Sequence, residues 1–209
     1  MAAESYIVRE GHPRIRVAHV VIGGFQQDLG DHTGMDRLWR SLHFRYSGPR
    51  SLVLFIEWHD PVKGVARLIW RHAGENGQRV RVTIAAYSWG VPTAVKLAKA
   101  LRKLGISVDS LVSADGVYRW RWRLWRVFLR WPKIVIPPNV ELVVPFRQKL
   151  DWPFGHELVA EDPDATRIEE TIWADRGHMA MDEFGPFRMA AKSAAALAQE
   201  QVGLAKHEE

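Results

Sequence analysis

The chain has no cysteine among its 209 residues. That absence excludes disulfide staples, thiol nucleophiles and thiolate metal sites, and it leaves the compartment open. No stretch approaches the roughly 18 consecutive apolar residues a membrane-spanning helix needs. Met1 to Arg16 mixes acids with bases and holds no apolar run of the kind that marks a secretory signal. Internal repeats and low-complexity tracts are also missing. The expectation is one soluble, cytoplasmic domain over residues 1–209.

What is present is ordinary in bulk. Apolar residues make up 47% and charged residues 25%, which excludes disordered and collagen-like classes. A folded chain of this size buries roughly 70% of its extended surface, so a large core is available. Two quantities depart from the ordinary. There are ten Trp, and 29 Lys+Arg against 24 Asp+Glu give a net charge of +5. Such an excess bears on solubility and anionic partners rather than on fold.

Periodicity alternates two textures. Short β-branched runs at Ile15–Ile22, Ser51–Glu57, Arg79–Ala86, Val108–Ala114, Val140–Phe146 and Ile168–Ala174 read as strands. Helical spacing occupies Met35–Phe44, Val62–His72, Pro92–Leu104 and Phe187–Val202. Strand–helix repetition predicts right-handed crossovers and an α/β three-layer sandwich, with a mostly parallel sheet of about six strands. Residues 1–13 and 203–209 read as loose ends. Pro137-Pro138 and Asp151–Asp164 read as loops, because Pro and Asp cluster there without a period.

The most informative segment runs from Val80 to Leu97. A buried strand ends at Ala86 and an amphipathic helix follows within a few residues, with Ser88 at the junction. Ala86 and Gly90 flank Ser88 at offsets of two, and Pro92 suits a helix's first turn. A sharp strand-to-helix turn brings backbone close and admits only small neighbours, while it lifts the serine hydroxyl above the sheet. The amide of Trp89 then faces the same space at a helix N-terminus, which favours negative charge. The bland alternative is a serine that caps the helix.

Ala86-Tyr87-Ser88-Trp89-Gly90 resembles the nucleophile elbow of the α/β-hydrolase superfamily, with Ala in place of the first Gly. A serine hydroxyl needs a base, and the base needs an orienting carboxylate. The superfamily's order of Ser, then acid, then His requires both downstream. Asp115-Gly116 follows the strand Val108–Ala114 and resembles the acid of lipase-like members. His178 follows the last strand, in Asp175-Arg-Gly-His-Met-Ala-Met-Asp182, and resembles the superfamily's histidine loop. Asp151, after the next strand, stands where most members carry the acid and is the leading alternative. Asp175 and Asp182 are further ones. His19 lies inside a strand and reads as core.

The resemblance also implies an oxyanion hole. Val21-Ile-Gly-Gly-Phe-Gln26 follows the first strand, and the amides of Phe25 and Trp89 are the implied donors, with Gly24 as a substitute. Gly23-Gly24 is otherwise a plain strand–helix turn. Asp28, Asp31 and His32 could in principle ligate a divalent cation; solvated loop charge is the preferred reading, and neither metal nor organic cofactor is expected.

Directly after Gly116 comes a basic, tryptophan-rich stretch, Val117 to Lys133, with four of the Trp and six of the basic residues. No acid occurs between Asp115 and Glu141. Wound as a helix, it aligns Arg119, Arg123, Arg126 and Arg130 in one stripe, largely opposite Trp120, Leu124, Val127, Phe128 and Trp131. The preferred reading is a lid-like insertion over 117–137, with Trp120, Leu124, Trp125 and Phe128 toward an acyl substrate. Transient contact of residues 119–131 with an anionic membrane surface is a second reading. Nucleic-acid binding through Arg and Trp is a third, and no nucleic-acid partner is expected. The acidic stretch Glu157–Glu170 is a candidate to pair with the Arg stripe.

The combined expectation is a serine esterase, lipase or thioesterase acting on a small-molecule acyl ester or thioester through Ser88, His178 and Asp115. A catalytically silent binding protein on the same fold is the alternative, and the oligomeric state is left open.

Overall fold

The structure, a computed structural model, describes residues 14–73, 80–118 and 133–204. Its strands are β1 (Val17–Ile22), β2 (Ser51–Ile56), β3 (Arg81–Tyr87), β4 (Val108–Ala114), β5 (Ile134–Ile136), β6 (Val140–Gln148), β7 (Leu158–Ala160), β8 (Arg167–Ile168) and β9 (Ile172–Ala174). The helices are α1 (Gly34–Tyr46), α2 (Val62–Ala73), α3 (Gly90–Arg102) and α4 (Gly185–Leu204), with a 3-10 turn over His178–Glu183. The main sheet has seven strands in the order β2-β1-β3-β4-β6-β8, with β9 also on β6. Every pairing in it is parallel.

The apolar pattern explains the layers. Ala18, Val20 and Ile22 on β1 and Val82, Ile84 and Ala86 on β3 pack with Ala66 and Ile69 of α2 and Ala94, Leu97 and Leu101 of α3. On the opposite face, Val21, Ala85, Val112 and Phe146 pack with Leu38 and Leu42 of α1 and Phe187, Ala191 and Ala195 of α4. Strands covered on both faces read as continuous apolar runs, and β1 is buried along its whole length. The α/β three-layer architecture expected from the sequence is therefore the observed one.

Two details differ. The single strand expected over Ile168–Ala174 is two short strands, β8 and β9, which pair successively along the same edge of β6. The stretch Asp151–Asp164, expected to be a loop throughout, contains β7, which pairs in parallel with β5, just before Pro137, as a second, two-stranded sheet. Each of these strands has three residues, too few to show a period. Ile134 and Ile136 are buried there, so the last part of the expected 117–137 insertion belongs to the packed body. Of the rest, residues 119–131, with Trp120, Leu124, Trp125 and Phe128, lie outside the described residues, so the lid and the membrane-contact readings do too.

α1 leaves β1 on one face and α3 leaves β3 on the other. The strand order reverses between those two neighbours, and an open parallel sheet has its crevice at such a point, beyond the strands' carboxyl ends. His19 is core as expected. Its Nδ1 lies 2.7 Å from Thr83 Oγ1, and Gln199 Nε2 approaches its Nε2 at 3.1 Å while donating to Ser51 Oγ. Burial lowers its pKa to about 4, so this core imidazole is neutral. Among the described residues, no helix is long and apolar enough to cross a membrane.

Candidate active site

Five loops at the carboxyl ends of β1, β3, β4, β6 and β9 converge at that crevice. Ser88 follows β3 with φ of 51°, and Asp115 follows β4 with φ of 45°. Both are in the left-handed region that side chains other than glycine rarely occupy. Neighbouring backbone pins them there. Ser88 N–H donates to Ala114 O at 2.9 Å, and Ser88 O accepts from the amides of Val91 and Val117, both at 3.1 Å. Asp115 N–H donates to Phe146 O at 2.8 Å.

Gly90 opens α3 against the end of β1. A Cβ built on it would stand 2.7 Å from Gly23 O and 2.8 Å from Ile22 O, so only glycine fits. Gly24 is as crowded on the other side, 2.8 Å from the Tyr87 ring and 3.1 Å from Ser88 Cβ. These two close approaches bring the β1 loop against the Ser88 turn.

The side chains form one chain of hydrogen bonds. Ser88 Oγ lies 2.8 Å from His178 Nε2, and His178 Nδ1 lies 2.6 Å from Asp115 Oδ2. All three residues are buried, at 4%, 4% and 0% exposure respectively. Asp115 carries no open acceptor position. Its Oδ2 also receives Gln148 Nε2 at 3.0 Å, and its Oδ1 receives the amides of Gly155 at 2.9 Å and Gln148 at 3.4 Å. A carboxylate oxygen facing Nδ1 at 2.6 Å accepts a hydrogen bond there, which places the imidazole's proton on Nδ1 and leaves Nε2 as the acceptor toward Ser88.

Asp151, the alternative acid, does different work. Its Oδ1 accepts the backbone amide of His178 at 2.5 Å, so it seats the histidine loop and does not touch the imidazole. Asp175 is exposed. Asp182 is buried on the far side of the loop, accepting Gly34 N–H and Gln27 Nε2, both at 2.8 Å. Burial raises its pKa, while those two bonds pull it back. Tyr87 closes the histidine loop from below, donating its hydroxyl to His178 O at 2.9 Å. Burial first, and then the charges of Asp182, Asp115 and Asp151, push that phenol's pKa up.

No sequence pattern marks Gln148 and Gly155 as partners of Asp115, or Tyr87 as a partner of the His178 backbone. Gln148 is the hub. Beyond Asp115, its Nε2 reaches Asp151 O at 2.8 Å and Pro153 O at 3.1 Å, and its Oε1 receives the amides of Leu150 and Asp151. A glutamine ending a strand carries no pattern that announces this.

Of the three backbone amides named above, that of Gly24 is spent inside its own loop, donating to Gln27 Oε1 at 3.0 Å. Its part here is steric. Phe25 and Trp89 lie side by side, ring centroids 4.5 Å apart, and Trp58 packs on both at 6.2 and 5.1 Å. Trp58, Trp89 and Tyr118 wall a cavity of about 350 Å³ next to the Ser88 turn. Asp28 and Asp31 interact with each other, Asp28 N–H donating to Asp31 Oδ2 at 2.9 Å. Among the described residues, no group of three His, Asp or Glu is placed to hold a metal ion. Within the acidic stretch, Glu157 pairs with Lys133 at 3.1 Å and Glu161 with Arg102 at 3.7 Å, while the Arg stripe itself lies outside the described residues.

Chemically, an imidazole with its acceptor nitrogen on a serine hydroxyl can take that proton as the oxygen attacks an electrophile. No protein-family model matches this chain, and no curated protein does either.

Proposed function

We propose that the protein is a serine hydrolase of the α/β-hydrolase type that cleaves a carboxylic ester or thioester through an acyl-enzyme. The observation that carries this reading is the buried, unbroken chain from Ser88 Oγ through His178 to Asp115, at 2.8 and 2.6 Å. A helix-capping serine needs no histidine on its hydroxyl and no carboxylate behind that histidine.

In this reading Ser88 Oγ attacks the acyl carbon while His178 Nε2 takes its proton. The negative charge that develops on the carbonyl oxygen turns toward the amides of Trp89 and Phe25, where the amino end of α3 favours it. The tetrahedral adduct collapses, the alcohol or thiol leaves with the proton from His178, and the acyl group stays on Ser88. Water then gives its proton to His178 and displaces the acid, which restores the hydroxyl. Asp115 stabilises the imidazolium in both halves. The Phe25, Trp58 and Trp89 rings offer the substrate an apolar wall beside Ser88.

A fluorophosphonate probe tests this directly. Covalent labelling at Ser88, abolished in Ser88→Ala, is the expected outcome. A folded wild-type protein that never labels and hydrolyses no p-nitrophenyl ester refutes it in favour of a silent binding protein.

A further inference from the structure

A second depression lies beside the aromatic cavity. It is about 520 Å³ and runs between α2 and α3. Val62 and Lys96 line both spaces, so the two adjoin. Its floor is apolar, made by Val62, Ala66, Ala100 and Leu104. Its rim is cationic: Lys63 and Arg67 stand on α2, and Lys96, Lys99 and Lys103 follow along α3. All five are exposed. None has an ion-pair partner among the described residues; the nearby Arg102 is turned to Glu161. Asp60 is the one carboxylate lining either space among the described residues, and its Oδ2 is occupied by the Glu57 amide at 2.8 Å.

Helix geometry sets the reach. At 1.5 Å per residue, Lys96 lies ~9 Å and Lys103 ~20 Å along α3 from Gly90, which adjoins Ser88. A ligand with its carbonyl at Ser88 and its leaving group along α3 would meet Lys96, Lys99 and Lys103 ~9–20 Å from Gly90, with Lys63 and Arg67 facing them from α2. Lysine ammonium groups act as point charges that suit phosphate oxygens, and a narrow groove with an apolar floor takes a linear arm.

We infer that the substrate's leaving group is an arm ending in several phosphates, held between α2 and α3 by Lys63, Arg67, Lys96, Lys99 and Lys103. This deepens the hydrolase reading and rests on it; a phosphate-bearing thiol ester is the simplest substrate that meets both requirements.

Coenzyme A serves as the probe, with calorimetric titration of the wild type and of Ser88→Ala at low and high salt. Binding is expected in both proteins and should weaken as salt rises. At roughly fivefold per exposed charge contact, it should fall roughly 10²-fold in Arg67→Glu/Lys99→Glu/Lys103→Glu. A neutral variant, Lys63→Gln/Lys96→Gln, should lose about 10-fold or more and guards against a folding defect in the first. KM for an acyl thioester of coenzyme A should rise in both variants, and by more than KM for p-nitrophenyl acetate, which has no phosphate arm.

Absent binding, or binding equal in wild type and variants, overturns the inference. So does a preference for phosphatidylglycerol vesicles, or for a poly-glutamate peptide, that the same variants abolish. Esterase activity without coenzyme A binding refutes the groove alone. Coenzyme A binding that the variants weaken, in a protein without esterase activity, supports the groove and refutes the hydrolase reading.

Discussion

Asp115 and Asp151 both lie at the histidine loop, and the structure assigns them unequal effects. In Asp115→Asn, one carboxylate oxygen becomes an NH2 group. Every neighbour of that carboxylate is a donor: His178 Nδ1 and Gln148 Nε2 at Oδ2, and the Gly155 and Gln148 amides at Oδ1. If the new NH2 takes the Oδ1 position, it faces two backbone N–H groups that cannot turn away. If it takes the Oδ2 position, His178 must accept at Nδ1 and carry its proton on Nε2, where it cannot serve Ser88. Either way an unsatisfied buried donor costs about 1–3 kcal/mol of stability. In the second case the base is lost and kcat falls by about 10⁴-fold. Asp151→Asn keeps an oxygen for the His178 amide and gives up only the charge on that bond. A loss of about 1 kcal/mol, or about fivefold in rate, is expected. Steady-state hydrolysis of a p-nitrophenyl ester measures both, with thermal melts alongside. Equal losses in the two variants, or a larger one in Asp151→Asn, would refute this division of roles.

Two further outcomes concern the scaffold. Gly90→Ala pushes a methyl group into the carbonyl oxygens of Gly23 and Ile22, at 2.7 and 2.8 Å. It should cost about 1–3 kcal/mol, lowering Tm by about 2–4 °C per kcal/mol; an unchanged melting curve would contradict the close contact. Burial holds the pKa of His19 at about 4 in the fold against an ordinary 6.5. The unfolded chain therefore binds that proton first, so the stabilisation is complete above about pH 6.5 and is lost as pH falls toward 4. The interval corresponds to about 3 kcal/mol. Urea titrations at pH 7 and 4.5 should show His19→Gln losing that part of the pH dependence, and an identical slope in the variant would count against the neutral, buried imidazole.

The sequence by itself determined the elements whose apolar pattern is long enough to have a period. β4 is found over Val108–Ala114 as expected, and α2, α3 and the strand–turn–helix around Ser88 differ from expectation by a few residues at their ends. It also put Ser88, Asp115 and His178 each just beyond a strand end, because turn chemistry and strand burial are local properties. Tertiary structure alone decided which carboxylate meets the imidazole. Asp115 and Asp151 both follow strands, but only Asp115, set at φ of 45° just after β4, points its oxygen at His178 Nδ1, whereas Asp151 meets the backbone of the same residue. The hub at Gln148, the β5–β7 ladder and the placement of the cationic groove beside the aromatic cavity depend on contacts between segments far apart in the chain. Such contacts leave no periodic trace, since each rests on a single side chain or on backbone pairing that many sequences satisfy equally well.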